Sequence, residues 1–396
     1  MYYKIYRNGF KKEVDVSIKI FTCGDIVIKS NKDKILSDEI KKIISSADIS
    51  ICNFEGPIES EGKPIPKVGP YIKQHKETIK ILKDQGFDLL LLANNHIIDY
   101  GKQGLQDTLD EAEKNSLETI GANIDFKKTY QPLIKIISEI KFGFLNACEA
   151  QFGQLISDDN KLGGYAWINH PIIDDMVVEL KKEVDFIIFF AHAGLEYYEI
   201  PLIEWRNRYK RLCDLGVDCV IGSHPHIPQG YEKYNGKYIF YSLGNFYFPR
   251  SEKINEDEYG YSLILNFELG KELKPEIYFH VRKGYMIKRI AESESPIFFK
   301  VLNQKLENKV YQEIIKNVYR EAYENICYQY YASVFNAVTE NDDLTSIAKK
   351  IVKQLFLRNK NKVSRELLLL HLTRNETYQY ITQRALEFKL LKMDDR

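Results

Sequence analysis

The chain has 396 residues, of which 44% are hydrophobic and 28% charged, with 56 basic side chains set against 56 acidic ones. That length allows one large domain with an appendage or two domains, and the composition excludes a disordered chain. The balanced charge gives no electrostatic signal for nucleic acid or an anionic membrane surface.

The six cysteines form no CxxC pair, and most sit in apolar runs where a reduced thiol packs as a small hydrophobe. No continuous apolar run opens the chain and none elsewhere reaches membrane-spanning length without charge, so the chain reads as cytoplasmic, with no membrane segment.

In chain order, Ser17 to Asp25 alternates and then turns apolar, which predicts a buried strand ending at Gly24 and Asp25. Ser37 to Ser46 predicts a short amphipathic helix. Ala47 to Gly56 predicts a second strand that runs into the polar loop Asn53 to Glu55. A loop rich in Gly and Pro follows, and Tyr71 to Gln85 predicts a helix stopped by Gly86. The run FDLLLLA then delivers Asn94, Asn95 and His96. A glycine-bearing turn and a helix through Leu105, Leu109 and Ala112 complete this α/β unit.

Tyr130 to Ala147 predicts strand, turn and strand, and Ile172 to Glu183 a helix. Val184 to Gly194 predicts a buried strand tipped by His192, and Glu204 to Leu215 a helix closed by Gly216. Val217 to Ile221 then leads to His224 and His226, between Pro225 and Pro228. Tyr238 to Tyr241 leads to Ser242, Gly244 and Asn245. Two further strands predict a terminal hairpin or meander. From about Pro296 glycine disappears and helix-period runs take over, such as Ile347, Ile351, Leu355 and Phe356, which predicts a helical C-terminal domain.

Five predicted strands therefore end in groups able to hold a metal: Asp25; Asn53 and Glu55; Asn95 and His96; His192; His224 and His226. In α/β sheets ligands collect at the carboxyl ends of strands. Residues 224 and 226 share the period of two that would put both imidazoles on one side of a continued strand. Imidazoles suit borderline metals and carboxylates supply hard oxygens, so the mixed set suits a dinuclear centre that clamps an oxygen and acidifies a water. Singly, a histidine after an apolar run is more often a hydrogen-bonded core residue, and an aspartate after glycine a turn or cap. Five similar placements outweigh those separate readings.

His75, His170, His280 and His371 lack such company. Asp99 reads as a turn former, with a hydrogen bond to a neighbouring ligand as the sharper alternative, and Glu196, two residues after Gly194, as solvated surface, with reach to the site mouth as its sharper alternative. No GxSxG elbow, P-loop or thiol with a histidine base is present.

The motifs CGD, NFEGPI, LLANNHIIDYGKQGLQDTL, AHAGLEYYEIP and GSHPHIPQGYEKYNGKYIFYSLGNF, over about residues 17 to 285, resemble those of the CapA family of poly-γ-glutamate capsule-synthesis proteins. That family is similar to the calcineurin-like metallophosphoesterases. The resemblance implies an α/β fold, a four-layer α/β/β/α metallophosphatase-like sandwich over residues 1–292, with a helical extension over 293–396. It implies two divalent ions (Mn, Zn, Fe or Mg). Asp25 and His226 would hold one, Asn95, His192 and His224 the other, and Glu55 would bridge them. His96 would be the catalytic acid, and Asn53 and Asn245 substrate contacts. Where the wider phosphoesterase pattern has Asp-x-His, this chain reads Asp25-Ile26-Val27, and Glu55 stands in for an aspartate.

The function expected is hydrolysis of a phosphoester through metal-bound hydroxide. The alternative is an accessory or binding role in poly-γ-glutamate synthesis, or processing of a γ-glutamyl amide. The substrate would be a small molecule or a polyanion, and the C-terminal helices offer a surface for a protein partner or self-association.

Overall fold

A computed structural model of the chain describes residues 4–7, 10–13, 17–29, 34–151, 162–249, 257–335, 343, 345 and 364–394. The chain divides into two compact units. The first comprises Met1–Ile65, Tyr71–Glu149 and Gly153–Asn308; the second comprises Pro66–Pro70, Ala150–Phe152 and Lys309–Arg396.

In the first unit the strands of two large sheets are, in chain order, β1 (Ile18–Ile26), β2 (Ile49–Phe54), β3 (Leu89–Leu91), β4 (Glu118–Ile120), β5 (Leu133–Ile137), β6 (Ile140–Cys148), β7 (Phe186–His192), β8 (Cys219–Ser223), β9 (Tyr231–Tyr234), β10 (Lys237–Phe240), β11 (Asn245–Tyr247), β12 (Glu258–Phe267), β13 (Lys274–Lys283) and β14 (Met286–Arg289). The eight-stranded sheet runs β14-β13-β12-β1-β2-β3-β4, with β11 also paired to β1, and the six-stranded sheet runs β9-β10-β8-β7-β6-β5. Both are mixed. β1 to β4 are parallel and β12 to β14 antiparallel, while β6, β7, β8 and β10 are parallel with an antiparallel strand at each edge.

The period of two sorts the side chains into layers. Ile18, Ile20, Ile49, Ile51, Leu89 and Leu91 of one sheet meet Phe142, Phe144, Ile188, Phe190, Cys219 and Ile221 of the other in a single buried cluster. The alternate residues of the first sheet, among them Phe21, Cys23, Cys52, Phe54 and Leu90, pack outward on the helices Asp38–Ser45, Thr78–Asp84 and Gly101–Lys114. The helices Pro171–Glu183 and Ile203–Leu215 cover the outer face of the second sheet. Helix, sheet, sheet and helix give the four-layer α/β/β/α sandwich that the sequence motifs imply.

Local chemistry sets the ends of the elements. Ser37 caps the first helix by accepting from the Ile40 amide. Gly216 closes Ile203–Leu215 at φ +132°, a left-handed value open to glycine. The predicted helix Tyr71–Gln85 forms only over Thr78–Asp84. Its first half stays extended because the buried Gln74 side chain accepts from the Ile28 amide at 2.9 Å and donates to the Ile26 and Glu55 carbonyls at 3.0 and 3.1 Å. Backbone groups beside two site residues are thereby satisfied, and this outweighs helix periodicity.

The second unit is helical: Asn308–Ala322 passes through the π-turn Tyr323–Cys327 into Tyr328–Phe335, and Arg365–Arg374 is followed by Glu376–Asp394. His371 meets Tyr330 and Tyr378 edge to face, with ring centres 5.3 and 5.4 Å apart. The periodic run at Ile347, Ile351, Leu355 and Phe356 lies outside the described residues. Among the described residues no helix is long and apolar enough to cross a membrane.

Candidate metal centre

The parallel strands of both sheets end at one rim of the sandwich. β1 carries Asp25 within its last turn of pleat and not beyond it. A bulge between Cys23 and Asp25 re-aims the carboxylate, and Asn245 of β11 pairs opposite it. Gly24 allows this, because a β-carbon there would lie 1.8 Å from the Gly244 carbonyl oxygen. β2 delivers Asn53 and Glu55, and the loop after β3 delivers Asn95 and His96. Asn94 laces that loop by donating to the Phe54 carbonyl at 2.8 Å and accepting from the Gly56 and His96 amides.

The six-stranded sheet brings the imidazoles. His192 ends β7. His224 and His226 lie beyond β8, at φ +95° and +60°, so the chain leaves the strand and turns at both residues. The period-of-two expectation fails there because no strand continues through them, yet the two rings stay near one another, with centres 6.0 Å apart. His224 Nδ1 faces His192 Nε2 at 3.2 Å, and His226 Nδ1 lies 3.3 Å from Asp25 Oδ2 and 3.0 Å from Asn245 Oδ1.

The two sheets meet through these side chains. Asn53 Nδ2 donates to Asp25 Oδ1 at 2.8 Å and lies 3.2 Å from His192 Nδ1. His192 Nε2 lies 3.2 Å from Asn95 Oδ1. The His224 amide reaches Asp25 Oδ2 at 3.4 Å. All the residues singled out from the sequence, Asp25, Asn53, Glu55, Asn95, His96, His192, His224, His226 and Asn245, are buried at this rim.

Three residues not assigned to the site from sequence also belong to it. Asp99 Oδ2 sits 2.8 Å from His96 Nδ1 while accepting from the Ile72 amide at 2.7 Å. A carboxylate only accepts, so His96 carries a proton on Nδ1 and presents Nε2, which lies 3.9 Å from Glu55 Oε1. Glu149 is fully buried, accepts from the Gly194 amide at 3.2 Å and lies 3.7 Å from His224 Nε2. Glu196 brings its carboxylate within reach of His224 and His226. The DYG turn signals Asp99, and the place of Glu196 two residues after Gly194 signals its reach to the site mouth; for Glu149 the sequence holds no comparable mark.

The electrostatics are unusual for an interior. Both carboxylate oxygens of Glu55 are buried with no hydrogen-bond partner. Burial pushes the Glu55 carboxyl well up from its ordinary range, against the pull of His226. Burial alone would lower His226, but Glu55 and Asp25 outweigh it and hold the imidazolium up to about 10. Burial and the neighbouring imidazoles push His192 and His224 well below their ordinary value, which leaves both neutral with lone pairs available.

Asp25, Glu55 and His226 place ligand atoms within 4.8 Å of one another, as do Glu196, His224 and His226. A buried, unpartnered carboxylate among imidazoles and a second carboxylate is costly by itself and fits a divalent cation, whose binding would displace the proton on His226. Val27, at the position of the absent imidazole, packs with Ile72 and Phe248 in a small apolar cluster.

A buried set of nitrogen and oxygen donors at the strand ends of a four-layer sandwich defines a candidate divalent-metal centre. Residues 19–250, more than half of the chain, match the bacterial capsule synthesis protein family PGA_cap, and the chain belongs to that family. It is 31% identical over 262 residues to the PGA biosynthesis protein CapA of Bacillus subtilis, covering 63% of this chain and 67% of that protein. To the capsule biosynthesis protein CapA of Bacillus anthracis it is 28% identical over 218 residues, covering 53% of each. The chain thus spans about two thirds of the first relative and about half of the second. The NAD nucleotidase of Haemophilus influenzae overlaps 70% of this chain and 54% of its own, at 11% identity and a TM-score of 0.41.

Proposed function

We propose that the chain is a metal-dependent hydrolase of phosphoester bonds. The observation that carries this is the buried Glu55 carboxylate, unpartnered and shared in reach with Asp25 and His226. Asp25 and His226 would hold one divalent ion, Asn95, His192 and His224 a second, and Glu55 would lie between them; Mn, Zn, Fe and Mg all suit this donor set. Glu196 is a further ligand candidate at the outer edge. When bound, such ions polarise a phosphoryl oxygen and acidify water toward neutral pH.

The protein's own groups account for the rest. In hydrolysis the water oxygen bonds to phosphorus as the ester P–O bond breaks, and the leaving oxygen needs a proton. Protonated on both ring nitrogens, His96 would deliver it from Nε2 and be recharged by the proton that the attacking water gives up, while Asp99 holds the ring and steadies its charged form. Asn53 and Asn245 would position the substrate by their amides.

Purified protein should retain divalent metal and cleave generic phosphodiesters when supplemented with manganese. An empty metal analysis together with no cleavage would end this reading.

A second reading draws on the two CapA relatives, whose names place them in PGA and capsule biosynthesis. The metal-lined cleft would then serve poly-γ-glutamate synthesis as an accessory or binding site, or act on a γ-glutamyl amide. Binding of γ-linked glutamate oligomers without cleavage distinguishes it. In either case residues 1–292 would form the working domain, and the helices within 293–396 would offer a surface for a protein partner or a second copy.

A further inference from the structure

A cavity of about 380 Å³ opens beside His226 and Asn245, within the range of small-molecule sites. One wall is apolar, built from Ile227, Pro228, Ile297, Phe298, Val301 and Leu302. Phe298 and Val301 are 64% and 50% exposed, so this wall presents surface that an apolar group could cover. Much of it comes from residues 296–302, beyond residues 19–250 matched by the family.

Charge narrows what can enter. Besides His226, whose imidazolium already faces Asp25, the described lining holds two cations, Arg282 and Lys305, against three carboxylates, Glu199, Asp257 and Glu258. Both cations are already paired: Arg282 donates to Glu258 at 2.6 Å and to the Gly284 carbonyl at 2.7 Å, and Lys305 pairs with Glu199, while Asp257 lies 3.5 Å from Lys283. A chain of carboxylates needs cations that are not already neutralised. At the mouth facing the candidate metal centre, the Asn245 side chain is buried with Nδ2 lacking a hydrogen-bond partner, a donor suited to an oxygen of the group bound there.

We propose that this cavity seats the non-phosphoryl part of the substrate and takes an aromatic group carrying hydrogen-bond donors, not a γ-linked glutamyl chain; this rests on reading the adjoining residues as a phosphoester site. The flat face would lie against Phe298 and Val301, and the donors would meet lone pairs that the paired carboxylates of the lining still offer.

The test uses the full chain loaded with manganese, its metal content checked in every variant. Binding of 4-fluorobenzylamine, followed by fluorine NMR, probes the cavity without a phosphoryl group. Calorimetry with (4-fluorobenzyl)phosphonate and methylphosphonate probes the link to the metal centre. The amine should bind, Val301→Trp should weaken it at least tenfold with metal content unchanged, and Phe298→Ala should weaken it several-fold. The aromatic phosphonate should bind at least tenfold tighter than methylphosphonate, a gap that Val301→Trp closes. Tri-γ-glutamate should not displace the amine.

No amine binding, equal binding in wild type and both variants, or displacement by tri-γ-glutamate would overturn the proposal. If the amine binds in the cavity and neither phosphonate binds, the phosphoester reading falls and the cavity's preference stands. If both phosphonates bind alike and the amine does not, the reverse holds.

Discussion

The two sheets contribute unlike chemistry to one rim. From the eight-stranded sheet come mainly oxygens and amides, in Asp25, Asn53, Glu55, Asn95 and Asn245, with His96 in the loop beyond β3. From the six-stranded sheet come His192, His224 and His226, with Glu149 and Glu196 beside them. The oxygen side alone would place the Asp25 and Glu55 carboxylates together in a dry interior. The nitrogen side alone would offer three imidazoles with only Glu149 and Glu196 to offset a divalent charge. The contacts Asn53–His192, Asn95–His192 and Asp25–His226 join the halves, so the full donor set is assembled only where the sandwich closes.

Substitutions on either side test whether the halves act as one site. The largest expected effect is loss of metal and a fall in turnover of about a thousandfold for both Asp25→Asn and His224→Ala, measured by elemental analysis and phosphodiester cleavage. If one variant keeps its full metal content and activity, the comparison breaks.

His280 is the only histidine within the strands of the eight-stranded sheet, and it lies away from the ligand cluster, 3.3 Å from the Asn245 carbonyl and 3.2 Å from Ser262 Oγ. Burial lowers it to about 4. The unfolded chain protonates this imidazole at its ordinary value while the folded one does not, so the unfolded state binds more protons between about 6.5 and 4. Stability is therefore complete above that window and falls through it on acidification, by up to about 3 kcal/mol. Denaturant titrations of wild type and His280→Gln across this range should show the smaller slope in the variant.

His96→Ala should leave metal content unchanged and reduce turnover by about a hundredfold. That would separate proton delivery from ion holding within the oxygen-rich half.

The smallest effect concerns stability without metal. Glu55→Leu replaces a buried carboxyl that has no hydrogen-bond partner with an apolar side chain, so the metal-free variant should be more stable than wild type by about 1–2 kcal/mol. The thermal stabilisation that manganese gives wild type should be lost. Melting curves with and without manganese check both signs, and a less stable metal-free variant would count against a carboxylate held ready for a cation.

Much of this architecture is legible in the chain. The apolar runs ending at Asp25, Asn53, His192 and Ser223 mark buried strands because burial on both faces requires continuous hydrophobicity, and Ser37 and Gly216 mark helix ends through their own backbone and capping chemistry. Periodicity fails at Tyr71–Glu77, where the side chain of Gln74 completes the hydrogen bonds of residues nearly fifty positions earlier. It also fails at His224 and His226, whose left-handed turn depends on contacts across the rim.

The amino-acid sequence by itself determined which residue types stand at the strand ends, since strand, helix and cap arise from short-range patterns of apolarity and hydrogen bonding. Only the tertiary structure decided which of them face one another. It pairs Asp99 with His96, brings Glu149 behind His224 and Glu196 to its edge, and leaves Glu55 dry and unpartnered among imidazoles. Those relations depend on two sheets closing over a common core, and the electrostatics of the rim exist only once water has been excluded from it.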